Sequence, residues 1–194
     1  MSAPPMPTTA RGIATRRRIL DAAAAEFARV GIAGARMDRI IAAAEANKAQ
    51  LYAYFGSKEG LFEAVLADRV DASADSVPFD ADDLPGWAVR LYDQNLRHPE
   101  LVRLIAWTRL ERRPTGRWFE GAQHESKLAA VAAAQAAGRL RAGDPVDLLV
   151  LVIGMASAWS PSSSVYTATA EEPEDDHDRR RALLGEAVAR VVAL

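Results

Sequence analysis

An all-α fold is predicted for this chain of 194 residues by three features of its pattern. Apolar residues recur at spacings of three and four along most of its length, strict alternation of the strand type is nearly absent, and proline and glycine stand where helices would begin and end. Residues 15–30 place Ile19, Leu20, Ala23, Phe27 and Val30 on one stripe, with Gly31 as a C-terminal stop. A short helix over about 37–44 turns Ile40, Ile41 and Ala44 inward, and a second short one covers about 48–55. After the break at Gly56 and Ser57, a long helix capped by Ser57 runs from Lys58 towards Ser73. Pro85, Pro99 and Pro145 suit first helical turns, which sets helices at about 84–97, 99–112 and 145–159. A further helix is expected over about 116–137, ended by Gly138. Residues 160–176 are polar, proline-containing and acidic, so a mobile loop is expected there. The final helix, about 178–192, carries Leu183, Leu184, Ala187, Val188 and Val191 on its apolar side.

Composition narrows the function class. With 49% hydrophobic and 26% charged residues, the chain has the balance of a soluble globular protein rather than a disordered or fibrous one. The absence of cysteine removes disulfides, thiolate metal sites and cysteine nucleophiles together. Residues 1–10 lack a basic n-region and an apolar h-region, so they are not a secretory signal and read as part of a flexible arm over 1–14. The most apolar stretch, 146–159, would span about 21 Å as a helix against a hydrocarbon core of about 30 Å, so no membrane partner is expected. The three histidines are isolated, and neither a His-Glu-x-x-His motif nor a glycine-rich phosphate loop occurs, so no enzyme, metal site or cofactor is expected.

The net charge of −2 conceals an uneven distribution. Residues 1–60 carry nine Lys and Arg against five acids, so the rest of the chain is acidic. A basic head on an acidic body suits a protein that presents one face to phosphates. Three helices within the first 55 residues, followed by a long one, match the helix-turn-helix plan, in which the last short helix enters the major groove of duplex DNA. Glu45-Ala46-Asn47 forms the turn, Asn47 can cap the next helix, and Gln50 at its third position can complete a capping box. Leu51 and Phe55, four apart, dock inward and leave Lys48, Ala49, Gln50, Tyr52 and Tyr54 to face DNA. Glutamine reads adenine bidentately and alanine meets a thymine methyl, whereas tyrosine hydroxyls and Lys58 at a helix start suit phosphates. Arg16, Arg17 and Arg18 are read as a phosphate-touching arm, against the alternative of a solvated helix start.

The run Ile19-Leu20-Asp21-Ala22-Ala23 with Phe27 and Gly31, then Ile40, Ala44, Lys48, Leu51-Tyr52, Tyr54-Phe55, Ser57-Lys58-Glu59 and Leu61-Phe62, closely resembles the DNA-binding domain of the TetR family over about residues 15–66. The resemblance implies a cytoplasmic transcriptional regulator, a repressor released from its operator by a small-molecule effector. It also implies a homodimer with a C-terminal regulatory and dimerisation domain over 67–194. By the same match Lys48, Ala49, Gln50, Tyr52, Tyr54 and Lys58 inherit DNA contacts, and Arg36 and Met37 stand where the second helix starts near the backbone. Two departures bear on docking: Ala35-Arg36 replace the family's small hydroxyl cap, and Glu45 replaces its turn glycine. The alternative reading is a helical dimerisation module with weakened or lost DNA binding, which would lack salt-dependent DNA affinity.

For the effector, expected to be small and apolar or aromatic, the candidate lining is Trp87, Trp107, Trp118, Phe119, Met155 and Trp159, residues that at helical spacing are more often plain core. The eighth helix is apolar on nearly every side and needs burial all round. The expected dimer interface therefore comprises Leu148, Leu151, Val152 and Met155 with Leu184, Val188 and Val191 of the ninth.

Overall fold

The computed structural model describes residues 8–113 and 122–194. Among these residues there are nine α-helices and no strand: α1 (Ala10–Gly34), α2 (Met37–Ala43), α3 (Lys48–Phe55), α4 (Lys58–Ser76), α5 (Leu84–Arg97), α6 (Pro99–Arg112), α7 (Ala122–Ala136), α8 (Pro145–Ala156) and α9 (Glu174–Val192). They fall into two units. The first holds α1, α2, α3, most of α4 and α6; the second holds α5, α7, α8 and α9. Helix α6 packs with the N-terminal helices, where Leu104 is fully buried in their core.

In the first unit, α1 starts at Ala10 rather than 15, since the Thr9 hydroxyl accepts the Gly12 amide at 3.1 Å and supplies a cap that needs no apolar partner. Residues 10–14, expected within a flexible arm, are therefore helical. Ile19, Leu20, Ala23 and Phe27 of α1 meet Ile40, Leu51, Phe55, Leu61 and Phe62 in one core, with the rings of Phe27 and Phe62 edge to face at 5.2 Å. Gly31 breaks α1 with φ 74°. The two amides that follow, Ile32 and Ala33, each donate to the Glu111 carboxylate of α6 at 2.9 Å, and Trp107 Nε1 donates to Ala28 O at 3.3 Å. A Cβ on Gly31 would stand 2.3 Å from Glu111 Oε1 and 2.9 Å from the Trp107 ring, so the site demands glycine for space as well as for φ.

The turn between α2 and α3 is closed by Glu45 N donating to Ala42 O and Ala46 N to Ile41 O, the Schellman pattern. Glu45 occupies the left-handed position of that motif with φ 48°, where glycine would be free of strain.

In the second unit, Asp83 caps α5 through the Gly86 amide at 2.9 Å and Asp144 caps α8 through Val146 at 2.7 Å, each just before a proline in the first turn. Helix α5 packs on α8 and α9, and α7 packs on α8. Their shared core contains Leu84, Trp87, Ala88, Tyr92, Val131, Ala134, Leu149 and Ala156. Helix α8 ends at Ala156, three residues short of the expected limit. The expected mobile loop is corrected: Ala168 is buried and its amide donates to Trp159 O at 2.8 Å, which fixes the connection. Helix α9 starts at Glu174, earlier than expected, because Glu174, Asp175 and Asp176 place three acids where the helix dipole favours them. No helix among the described residues is long and apolar enough to cross a membrane.

These two backbone positions yield predictions of opposite sign. Glu45→Gly is expected to raise stability by on the order of 1 kcal/mol, the relief of left-handed strain less the added freedom of the unfolded chain. Gly31→Ala is expected to lower it by about 2 to 4 kcal/mol through strain and overlap with Glu111 and Trp107. Urea unfolding of the two variants measures both; equal shifts in one direction would refute the backbone assignments.

Candidate nucleic-acid interface

Helix α3 is held at its start by a complete capping box: Asn47 Oδ1 accepts the Gln50 amide at 2.8 Å and Gln50 Oε1 accepts the Asn47 amide at 3.2 Å. Leu51 and Phe55 are buried beneath it, while Lys48, Ala49, Tyr52 and Ala53 are exposed and Gln50 and Tyr54 half-buried. Ala53 was absent from the sequence reading, although its spacing of four from Ala49 places it on the same face. The Tyr54 ring stands edge-on to Phe55 at 6.2 Å and packs against the core. Gln50 has one function already occupied in the free protein. Its oxygen serves the cap, leaving the amide nitrogen to offer, whereas bidentate reading of adenine uses both atoms.

The basic residues divide by engagement. Arg18 Nε donates to Ala44 O at 2.9 Å and so satisfies a carbonyl at the end of α2, and Arg17 donates to Asp21 and to Asp68 at 2.9 Å each. The Arg16 guanidinium lies 5.3 Å over the Phe55 ring. The arm reading of this triplet is therefore corrected: all three sit within α1, and each is held by a group of its own domain. Lys58 differs from expectation as well. Its ammonium donates to Ala33 O at 3.0 Å and Ala35 O at 2.9 Å, tying the start of α4 to the corner between α1 and α2 and leaving one N–H for a phosphate. Arg36 and Lys48 are exposed.

Glu26 was missed from sequence. It is an acid inside an apolar stripe, and its burial shows only in the folded domain. Arg36 caps α2 without a side-chain bond; its amide instead donates to Glu26 Oε1 at 3.2 Å, and Arg29 donates to the same carboxylate at 2.6 Å. The Arg29 hydrogen bond, aided by the Arg36 amide and working against burial, holds the Glu26 carboxyl below the usual carboxylate range. A carboxylate from α1 thus anchors the chain at the start of α2, where no side-chain cap bond is made. Met37, next in line, is half-buried against the core.

In the second unit the expected interface is corrected in part. Leu148, Val152, Leu184 and Val188 are buried in the unit's own core, because they face α5, and Met155 and Val191 are half-buried against it. The outward apolar residues are Val150, Leu151 and Ile153 on α8, exposed by 62%, 54% and 43%, and Leu183 on α9, exposed by 55%. The expected effector lining is divided between the two units. Trp107 lies in the first unit against α1, Trp87 is buried in the second core, and Met155 and Trp159 pack partly against that core. Trp118 and Phe119 lie outside the described residues.

Residues 19–65 match the family profile of bacterial regulatory proteins, tetR family, and residues 83–190 match that of the tetracyclin repressor-like C-terminal domain. The HTH-type transcriptional repressor SCO4008 of Streptomyces coelicolor is 47% identical over 151 residues, covering 76% of this chain and 78% of that protein. The HTH-type transcriptional repressor NicS of Pseudomonas putida is 38% identical over 101 residues, 47% of each chain. Among solved structures, SCO4942 from Streptomyces coelicolor aligns with a TM-score of 0.74 at 37% identity, over 92% of this chain and 98% of that one. AibR, solved with isovaleryl coenzyme A and operator DNA, shares the fold with a TM-score of 0.62 at 19% identity, over 92% and 98%.

The Glu26 cap has a pH signature. Because its folded pKa lies below the unfolded value of about 4.3, its stabilisation is fully present above that pH and is lost as pH falls through the folded value. Glu26→Gln is expected to be less stable than the wild type at pH 7 by about 1 to 3 kcal/mol, with the gap narrowing below pH 4. Urea unfolding at pH 7 and pH 3.5 measures this, and a gap independent of pH would exclude the assigned role.

Proposed function

The chain belongs to the tetR family of bacterial regulatory proteins and is a DNA-binding transcriptional regulator, and on that premise we propose that it is a cytoplasmic, homodimeric repressor whose operator affinity falls when the second unit binds a small effector. The observation that carries the DNA reading is the capped helix α3, which buries Leu51 and Phe55 and offers Lys48, Ala49, Tyr52 and Ala53 to solvent. This is the geometry of a recognition helix. Arg36 and Met37 at the start of α2, with Tyr54 and the remaining N–H of Lys58, are assigned to the phosphate backbone. Gln50 is assigned to a base edge, exchanging its capping bond for adenine. A regulator of this kind acts by binding, and no catalytic role is assigned to any residue.

The homodimer reading rests on the outward apolar face of Val150, Leu151, Ile153 and Leu183. Two such faces related by a two-fold axis form a four-helix bundle of α8 and α9 and remove the apolar surface from water. The dimer then sets two α3 helices on successive major grooves, with half-sites about 34 Å apart or a multiple of that.

Two measurements test these assignments. Gln50→Ala should weaken binding to the preferred duplex by roughly 1 to 3 kcal/mol and relax base preference, whereas Lys48→Ala should weaken all duplexes alike and flatten the salt dependence by about one counterion per subunit. Fluorescence anisotropy on preferred and scrambled duplexes across a salt series separates the two; interchanged signatures would reverse the roles. Leu151→Glu should yield a monomer in sedimentation and abolish tight operator binding, because a single half-site loses the linked second contact. A variant that stays dimeric would place the interface elsewhere.

A further inference from the structure

Two side chains of α9 in the second unit are buried with a nitrogen unpaired, as is Trp87 Nε1 on α5. Arg180 is 6% exposed; Nη2 donates to Glu172 Oε2 at 2.6 Å and the guanidinium lies 5.1 Å over the Tyr166 ring, while Nη1 has no partner. His177, one turn earlier on the same face of α9 and 2% exposed, shares a 2.7 Å bond with the Tyr92 hydroxyl through Nδ1 and leaves Nε2 without a partner. The tautomer of His177 decides which partner of that bond donates, whereas Arg180 Nη1 can only donate. A buried donor left unpaired is rare, so Arg180 Nη1 calls for an acceptor.

Arg180 also forms part of the wall of a recess of about 370 Å³, together with Trp159, Tyr166, Asp176, Arg179 and Leu183. That volume falls within the range of small-molecule sites, roughly 300 to 1,000 Å³. One side is aromatic and aliphatic. Trp159 stands edge-on to Tyr92 at 5.8 Å, which links the recess to the Tyr92–His177 pair. The charged groups cancel: Arg180 is paired with Glu172 and Arg179 with Asp176. A dianion such as phosphate would leave two charges uncompensated, while a single negative charge is within reach of the unpaired donor.

We propose that this recess binds a small organic monocarboxylate with a flat apolar body. The carboxylate accepts from Arg180 Nη1, the unpaired donor of a residue on the recess wall, and the body lies against Trp159 and Leu183. Tyr166, half exposed and stacked on the guanidinium, is the cover that the guest displaces. The site differs from the tryptophan-lined pocket expected from sequence. It deepens the effector reading and rests on that reading only for its regulatory use.

Calorimetric titration of the full chain with benzoate and 2-naphthoate, against benzamide and acetate, tests it without DNA. The aromatic carboxylates should bind saturably, and benzamide and acetate at least about tenfold more weakly, since one lacks the charge and the other the apolar body. Arg180→Lys, with its fold checked by thermal unfolding, should lose binding by a similar factor. Absence of saturable carboxylate binding, equal binding of benzamide or acetate, or undiminished binding by folded Arg180→Lys would each overturn the proposal. The contrast among probes on the wild type decides the matter even if the variant does not fold. Carboxylate binding that meets these criteria but leaves operator anisotropy unchanged would uphold the site and refute the effector reading.

Discussion

Short helices leave a large share of their backbone groups without intrahelical partners, and the first unit depends on charged side chains from other helices to satisfy them. Glu111 of α6 receives the two amides after the Gly31 break, Glu26 of α1 receives the Arg36 amide at the start of α2, Lys58 of α4 donates to the carbonyls of Ala33 and Ala35, and Arg18 donates to Ala44. Each contact joins different elements, at separations from ten residues for Glu26 and Arg36 to 79 for Ile32 and Glu111. Helices of seven and eight residues such as α2 and α3 have too few internal bonds to stand alone. Their placement follows from this network and from the apolar contacts of Ile40, Leu51 and Phe55.

The same economy of groups shapes the DNA-facing side. Gln50 serves the cap of α3 and is also the side chain best suited to an adenine edge, so binding DNA would exchange one hydrogen bond for another rather than add one outright. Lys58 retains a single free N–H after its two bonds to carbonyls. In the proposed function, electrostatic attraction to phosphate would rest more on exposed cations such as Arg36 and Lys48 than on the basic surplus of the N-terminal residues as a whole. Arg17, Arg29 and Arg39 among those cations are already paired with Asp21, Asp68 or Glu26.

In the second unit, the apolar residues of α8 serve two masters. Leu148, Leu149 and Val152 complete the core with α5 and α9, while Val150, Leu151 and Ile153 remain in water. A helix with one face buried and the other apolar is the arrangement a two-fold partner would complete. The buried Arg180 is a different kind of incompleteness, polar rather than apolar, and it points towards a small guest rather than a second protein.

Periodicity, capping residues and prolines made the helical class, the order of the elements and the turn preceding α3 legible, since these depend on interactions within about five residues. Local signals also identified Asn47 and Gln50 as a capping box, which stands so in the structure, while the family resemblance set Glu45 at a turn glycine's place, where it has φ 48°. Whether Val152 or Leu151 faces outward, that α6 joins the first unit, that Trp107 and Trp87 belong to different units, and that Glu26, Lys58 and Arg18 bond to the backbone of other elements were decided by tertiary packing. A helix that is apolar all round carries no sign of which face its own chain will cover, and a charged side chain carries no sign of which orphan amide or carbonyl will reach it. Those choices depend on where elements tens of residues away come to rest.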